Sequence, residues 1–165
     1  MMSPTYLRSF IFGVEDSLVS TVGLLSGVAI ANASRETILL TGTVLIFVEA
    51  FSMAAGSFLS ESSVEEYEKR RVVSGYRPVL TGVIMFFSYF VAGFIPLAPY
   101  ALMETSSAFA ISIAASLAAL FLLGALGGRF SQTSIWRSAI RMAVVGGMAI
   151  LVGVVVGQFF VVPRG

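Results

Sequence analysis

The sequence predicts an all-α integral membrane protein with five transmembrane helices, its N-terminus inside and its C-terminus outside. Three observations lead to this. Hydrophobic residues make up 57% of the chain and charged ones 12%, with a mean hydropathy of +0.94, whereas in soluble domains about a quarter of residues are charged. The apolar runs are continuous and lack the alternation of a lipid-facing strand, which favours helices over a barrel. Eight of the ten basic residues fall on alternate connections, the bias expected of inner loops; only Arg35 and Arg164 fall on the others.

Taken in order, Met1 to Arg8 has no strong basic region and does not resemble a signal peptide. Helix 1 is expected over about Ser9 to Ala31 and is the least apolar span, because it carries Glu15 and Asp16. Its Gly23 and Gly27 have the spacing of a small-residue contact, although glycine is generally frequent in membrane helices. Ser34 is the expected N-cap of helix 2. That helix crosses from Ile38 to Ser60 and continues through the charged stretch Glu61 to Arg71, where Glu65 and Glu66 each precede a basic residue by four positions. Gly75 and Pro78 separate it from helix 3, about Val79 to Ala101, in which Pro96 and Pro99 predict a kink or an early stop. Helix 4 is expected over about Ser106 to Leu126 and helix 5 over about Trp136 to Phe160. Residues 1–165 thus read as one transmembrane domain, and the terminal VVPRG is given no functional part.

The candidate site lies on helices 1 and 2. Glu49 falls about halfway across a segment long enough to span the bilayer. A carboxylate at that depth normally lines a polar path, pairs with another group or is protonated. Glu49, Met53, Gly56 and Ser60 form one stripe on helix 2, and Phe12, Asp16, Ser20, Gly23 and Gly27 form another on helix 1. Two carboxylates at successive depths with a thioether between them suit the passage of a divalent cation. Oxygen donors accept Mn²⁺ and Fe²⁺, and sulfur adds a preference for softer ions. A two-fold axis would double each acidic ligand.

Plainer readings stand beside this one. Glu49 can be a neutral acid hydrogen-bonded across a helix interface, and Asp16 can cap or break helix 1 beside Ser17 and Ser20. Glu15 points about 100° away from Asp16, toward the inner interface. Glu61, Glu65 and Glu68 share a face as a weak entrance site for metal, or else belong with Glu66 to a solvated helix balanced by Lys69, Arg70 and Arg71. Met85, Met103, Met142 and Met148 read as packing or lipid-facing residues.

The absence of Cys and His excludes disulfides, thiolate or imidazole metal sites and the chemistry of either side chain. No glycine-rich nucleotide loop occurs, since GALGG ends an apolar helix with no strand before it, and no aromatic-basic interleaving suggests nucleic acid. Neither an enzyme nor a resident cofactor is expected.

Three motifs carry a family resemblance: FGVEDSL from Phe12 with GLLSG from Gly23; Gly42 followed by AFSMAAGSFLS from Ala50; and PLAPY from Pro96. In order and extent they resemble the vacuolar iron transporter family, which includes yeast calcium-sensitivity transporters and nodulin-like proteins. The resemblance implies five membrane helices, a homodimer in the lipid bilayer and movement of Fe²⁺ or Mn²⁺ out of the cytoplasm in exchange for protons. It implies the cell membrane in a prokaryote and a vacuolar or other organellar membrane in a eukaryote. Asp16 matches the family's helix 1 metal-pathway aspartate, and Met53 matches its helix 2 methionine. Ser17 stands where a glycine is usual and Ser57 where an acidic residue is frequent. Leu45 occupies a position that is glutamate in some members, with Glu49 one turn away on the same face. The long acidic cytoplasmic insertion between helices 2 and 3 is reduced here to Glu61 to Arg71. Small residues in helices 1 and 2, together with the resemblance, place those helices at the dimer contact. The rival expectation is a scaffold or regulatory subunit that keeps the fold without transport, and a third is a carrier for another small solute.

Overall fold

The structure is a computed structural model that describes residues 3–70 and 75–161. It contains five helices, α1 (Pro4–Ile30), α2 (Arg35–Lys69), α3 (Tyr76–Leu102), α4 (Thr105–Phe130) and α5 (Ile135–Phe159), each long and apolar enough to cross a membrane. Arg71, the expected end of the helix 2 extension, and Arg164 in the terminal VVPRG lie outside the described residues.

Local chemistry sets the ends. Pro4 opens α1, where a missing N–H costs nothing because the first turn has no intrahelical acceptor. Asn32, at φ 60°, takes the left-handed conformation that ends it. The Ser34 hydroxyl accepts from the Thr37 N–H at 3.2 Å, as expected of the N-cap of α2. At 35 residues and 1.5 Å per residue, α2 is about 52 Å long, against about 30 Å of hydrocarbon, so the segment from Glu61 onward projects beyond the apolar layer.

The expected early stop in α3 does not occur, because the helix runs through Pro96 and Pro99 to Leu102. The Ser112 hydroxyl on α4 donates to the Pro96 carbonyl at 2.7 Å. The carbonyls that Pro96 and Pro99 leave without a helical donor are those of Ala92 and Ile95, so this bond ties α4 to α3 without replacing one lost to proline. At the C-terminus of α3, Arg35 donates through Nε to the Tyr100 carbonyl at 2.7 Å and through Nη2 to that of Ala101 at 2.5 Å. These are carbonyls of the last turn, which no helical N–H can reach.

Helix α1 is the hub and touches all four others, whereas α2 packs chiefly on α3 and α5 on α1 and α4. Its inward faces mix small and hydroxylated residues, Ser9, Gly13, Ser17, Thr21 and Ser26, with the apolar Leu18, Val22 and Leu25. The expected role of Gly23 and Gly27 is fulfilled inside the chain, by α5. A Cβ on Gly153 would fall 2.0 Å from the Gly23 carbonyl oxygen, and one on Gly157 would fall 2.2 Å from that of Gly27. The two backbones therefore meet directly. The neighbouring helix that the spacing admits is thus α5 of the same chain.

The helices alternate in direction, so basic residues gather at one end. Glu61 pairs there with both Arg8 and Arg77, and Arg137 and Arg141 share a cleft with Ile11 of α1. Among the described residues, Arg35 is the basic group of the opposite end. At that far end Leu25, Ile38, Ile46, Leu97, Tyr100 and Ala108 form the larger apolar core.

The α1–α5 contact yields a test. Gly153→Ala places a methyl group against a backbone oxygen and is expected to cost about 1–3 kcal/mol. Gly147→Ala, which meets nothing within 4 Å, controls for the change in composition. Thermal unfolding of purified protein should separate the two variants, and equal melting points would disprove the contact.

Candidate functional site

The site forms where α1 and α2 diverge. Arg8 reaches Glu61 at one end of the pair, and Leu25 lies against Gly42 toward the other. Each step along α1 is thus matched by a step back along α2. On this register Asp16 is level with Met53, and Glu49 stands one turn, about 6 Å, farther from the basic end. Met53 is accordingly beside Asp16 rather than between the two carboxylates.

Asp16 and Glu49 are both half-buried and interact electrostatically. Among the described residues neither makes a hydrogen bond or an ion pair. The plainer readings lose their partners here. Ser17 donates to the Tyr89 carbonyl at 2.6 Å, and Ser20 shares a 2.8 Å hydrogen bond with the Tyr89 hydroxyl, so neither hydroxyl serves Asp16. Two like-charged groups in a poorly hydrated span call for a counter-charge, either a cation or a shared proton.

One helical turn from this pair, beginning at Phe12 and Met53, a cleft of about 620 Å³ extends toward the basic end between α1, α2 and α3, with neither carboxylate in its lining. Met53, Met85, Ser52, Ser57 and Ser60 line it together with Phe12 and Arg8. It offers two thioethers and several hydroxyls, weak neutral donors through which an ion can pass without being held. The helix 1 stripe divides along its length: Phe12 faces the cleft, and Gly23 meets α5.

The candidates on the α2 extension are placed differently. Glu61 pairs with Arg8 at 4.0 Å and with Arg77 at 3.6 Å, near the mouth of the cleft. Glu65 is buried and paired with Lys69, while Glu68 lies in a shallow exposed depression with Glu66 and Arg70. Glu61, Glu65 and Glu68 therefore do not converge. Among the described residues, no three Asp or Glu side chains come together as one metal-binding group. Glu15 is turned toward α5, where Arg141 is its electrostatic partner.

Two participants escaped the sequence reading. Tyr89 is fully buried beside both carboxylates, and Met85 lines the cleft although its place in an apolar helix suggests packing. Their signal was the helical period of Thr81, Met85, Ser88, Tyr89 and Ala92, which marks the buried face of α3.

The sequence model of the VIT family matches residues 7–75 and 73–158 of this chain. The chain belongs to the VIT family. "Vacuolar iron transporter homolog 4" of Arabidopsis thaliana is 26% identical over 158 residues, covering 89% of this chain and 80% of that protein. "Vacuolar iron transporter homolog 3" of the same plant is 27% identical, with coverage of 89% and 79%. "Vacuolar iron transporter 1" of Oryza sativa subsp. japonica is 23% identical over 203 residues, with coverage of 87% and 81%. In this VIT-family chain, all three motifs of the resemblance lie within the matched segments, and Asp16, Glu49 and Met53 come together at one side of α1.

Repulsion between the carboxylates predicts an unusual sign for one substitution. In divalent-free buffer at neutral pH, Glu49→Gln removes the like charge facing Asp16 and should stabilise the protein by about 1 kcal/mol, a shift of a few degrees. Melting at the parental temperature would mean that the two groups do not sense each other.

Proposed function

We propose that this VIT-family protein is a homodimeric, proton-coupled transporter of Fe²⁺ or Mn²⁺. The observation that carries the reading is the pair of half-buried carboxylates, Asp16 and Glu49, which have neither hydrogen bond nor ion pair among the described residues and adjoin a cleft lined by Met53 and Met85. The metal is the cargo. It enters by the cleft at the basic end, is held at Asp16 and Glu49, and leaves on the far side as one carboxylate takes up a proton. A second subunit against the exposed face of α2, which carries Val44, Phe47, Val48 and Phe51, would bring a second pair of acids to the path.

Ion pairing of Glu61 and Glu65 within the chain favours a second reading, a membrane scaffold without transport, since these side chains are already neutralised.

Metal flux in proteoliposomes, with and without a pH gradient, distinguishes the two. The parent is expected to carry Fe²⁺ or Mn²⁺. At equal incorporation, Glu49→Gln should lose roughly tenfold or more of that flux, with Asp16→Asn similarly impaired. Met53→Leu should change the preference among metals more than the stability. Parental flux that survives Glu49→Gln removes Glu49 from the path. Absence of parental flux for Fe²⁺, Mn²⁺, Co²⁺ and Zn²⁺ favours the scaffold.

The gathering of basic residues at one end supports an inner location for that end, hence N-in and C-out. The chain has no native Cys, so Ser63→Cys can be labelled directly. It should react with a membrane-impermeant maleimide only from the inside, and labelling only from the outside would reverse the orientation.

A further inference from the structure

A second cleft, about 460 Å³ in volume, opens at the basic end on the other flank of α1, where α4 passes into α5. Arg137 and Arg141 line it together with Ser131, Ser134 and Ser138, and no carboxylate does. The two arginines are one helical turn apart on α5, a spacing at which like charges repel. Arg141 has Glu15 as an electrostatic partner, while Arg137 has no ion pair among the described residues. The Ser134 hydroxyl already accepts from the Arg137 N–H at 3.4 Å. The hydroxyls of Ser131 and Ser138 have no hydrogen-bond partner among the described residues. The hollow therefore holds unused donors and surplus positive charge.

Its depth is marked independently. Trp136 is 70% exposed, and its ring stands edge-on to Phe121 at 5.7 Å. A tryptophan on the outer flank of a membrane helix, in its first turn, marks the boundary between hydrocarbon and headgroups. Arg137 follows it in the chain and lies at the level of lipid phosphates.

We infer that this cleft binds a phosphate group, gripped by the guanidinium groups of Arg137 and Arg141 and by the Ser131 and Ser138 hydroxyls, and that an anionic phospholipid headgroup supplies it. Guanidinium forks suit phosphate oxygens in geometry and charge. Basic pockets between membrane helices at headgroup level recognise such lipids. The site is separate from the Asp16 and Glu49 path and does not depend on transport.

Native mass spectrometry of the purified full chain, titrated with phosphatidylglycerol or phosphatidylcholine of equal chain length, tests the site. The parent should retain phosphatidylglycerol about tenfold more tightly, and the double variant Arg137→Gln/Arg141→Gln should lose that preference. Arg129→Gln, at the same end but outside the cleft, should keep it. Arg137→Lys/Arg141→Lys, which keeps the charge without the fork, should fall between and shows that the fold is retained. A second arm titrates inorganic phosphate alone against thermal unfolding. Stabilisation that needs both arginines, without preference for phosphatidylglycerol, would overturn the lipid source in favour of free phosphate. Equal lipid retention in the parent and the Gln double variant, or an equal loss in Arg129→Gln, would overturn the site.

Discussion

The close approach of α1 and α5 sets the geometry on which the rest depends. Glycine meets glycine carbonyl at two successive turns, and only residues without a side chain allow helices so near. Lipid tails are as apolar as leucine, so helices in a bilayer gain little from burying apolar side chains against each other. Tight backbone contact, dispersion and hydrogen bonds must hold them instead. Many inward residues of α1 are small or hydroxylated for the same reason. Ser17 reaches the α3 backbone, and Ser20 reaches the Tyr89 hydroxyl.

This tight packing on one flank leaves the other loose. Helix α2 is held mainly by α3 and only lightly by α1, and the space between α1 and α2 becomes the cleft below Asp16 and Glu49. The carboxylates are tolerated there because the wall is incomplete. Each is half-buried rather than sealed in hydrocarbon, and the cleft leads back toward the charged end. Tyr89 closes the inner side as a rigid, buried group whose hydroxyl is already satisfied. The result is a half-buried acidic pair one turn from an open cleft.

Charge organises the two ends differently. At the basic end Glu61 lies between Arg8 and Arg77, and Glu65 is tied to Lys69, so these two acids of the α2 extension are paired within the chain. At the far end Arg35 is absorbed by the last carbonyls of α3. Its charge thus completes a helix end rather than meeting a ligand.

The sequence by itself determined the number of helices, the cap at Ser34 and the place of Glu49 deep in a membrane span, but not every helix end: α1 begins at Pro4 rather than near Ser9, and α4 runs to Phe130 rather than to about Leu126. Hydropathy, capping and helical rise are local properties. It also made Asp16, Glu49 and Met53 legible as one group, because heptad-like offsets put them on defined faces and a polar side chain in an apolar run has few other uses. Which helix each face meets was not legible. The Gly23 and Gly27 spacing suits a partner in this chain as well as one in another, and only the folded bundle assigns it to α5. Pro96 and Pro99 predicted a kink or an early stop from local propensity, which the packing of α3 against its neighbours overrides. Glu61, Glu65 and Glu68 share a periodicity, but the ion pairs that separate Glu61 and Glu65 from Glu68 depend on Arg8 and Arg77 arriving from α1 and α3 and on Lys69 one turn away. Tyr89 and Met85 resembled packing residues until α3 was set against α1. Periodicity fixes the direction of a side chain about its own helix axis; the neighbour it finds there follows from how five axes close around α1, which is decided by contacts between residues far apart in the chain.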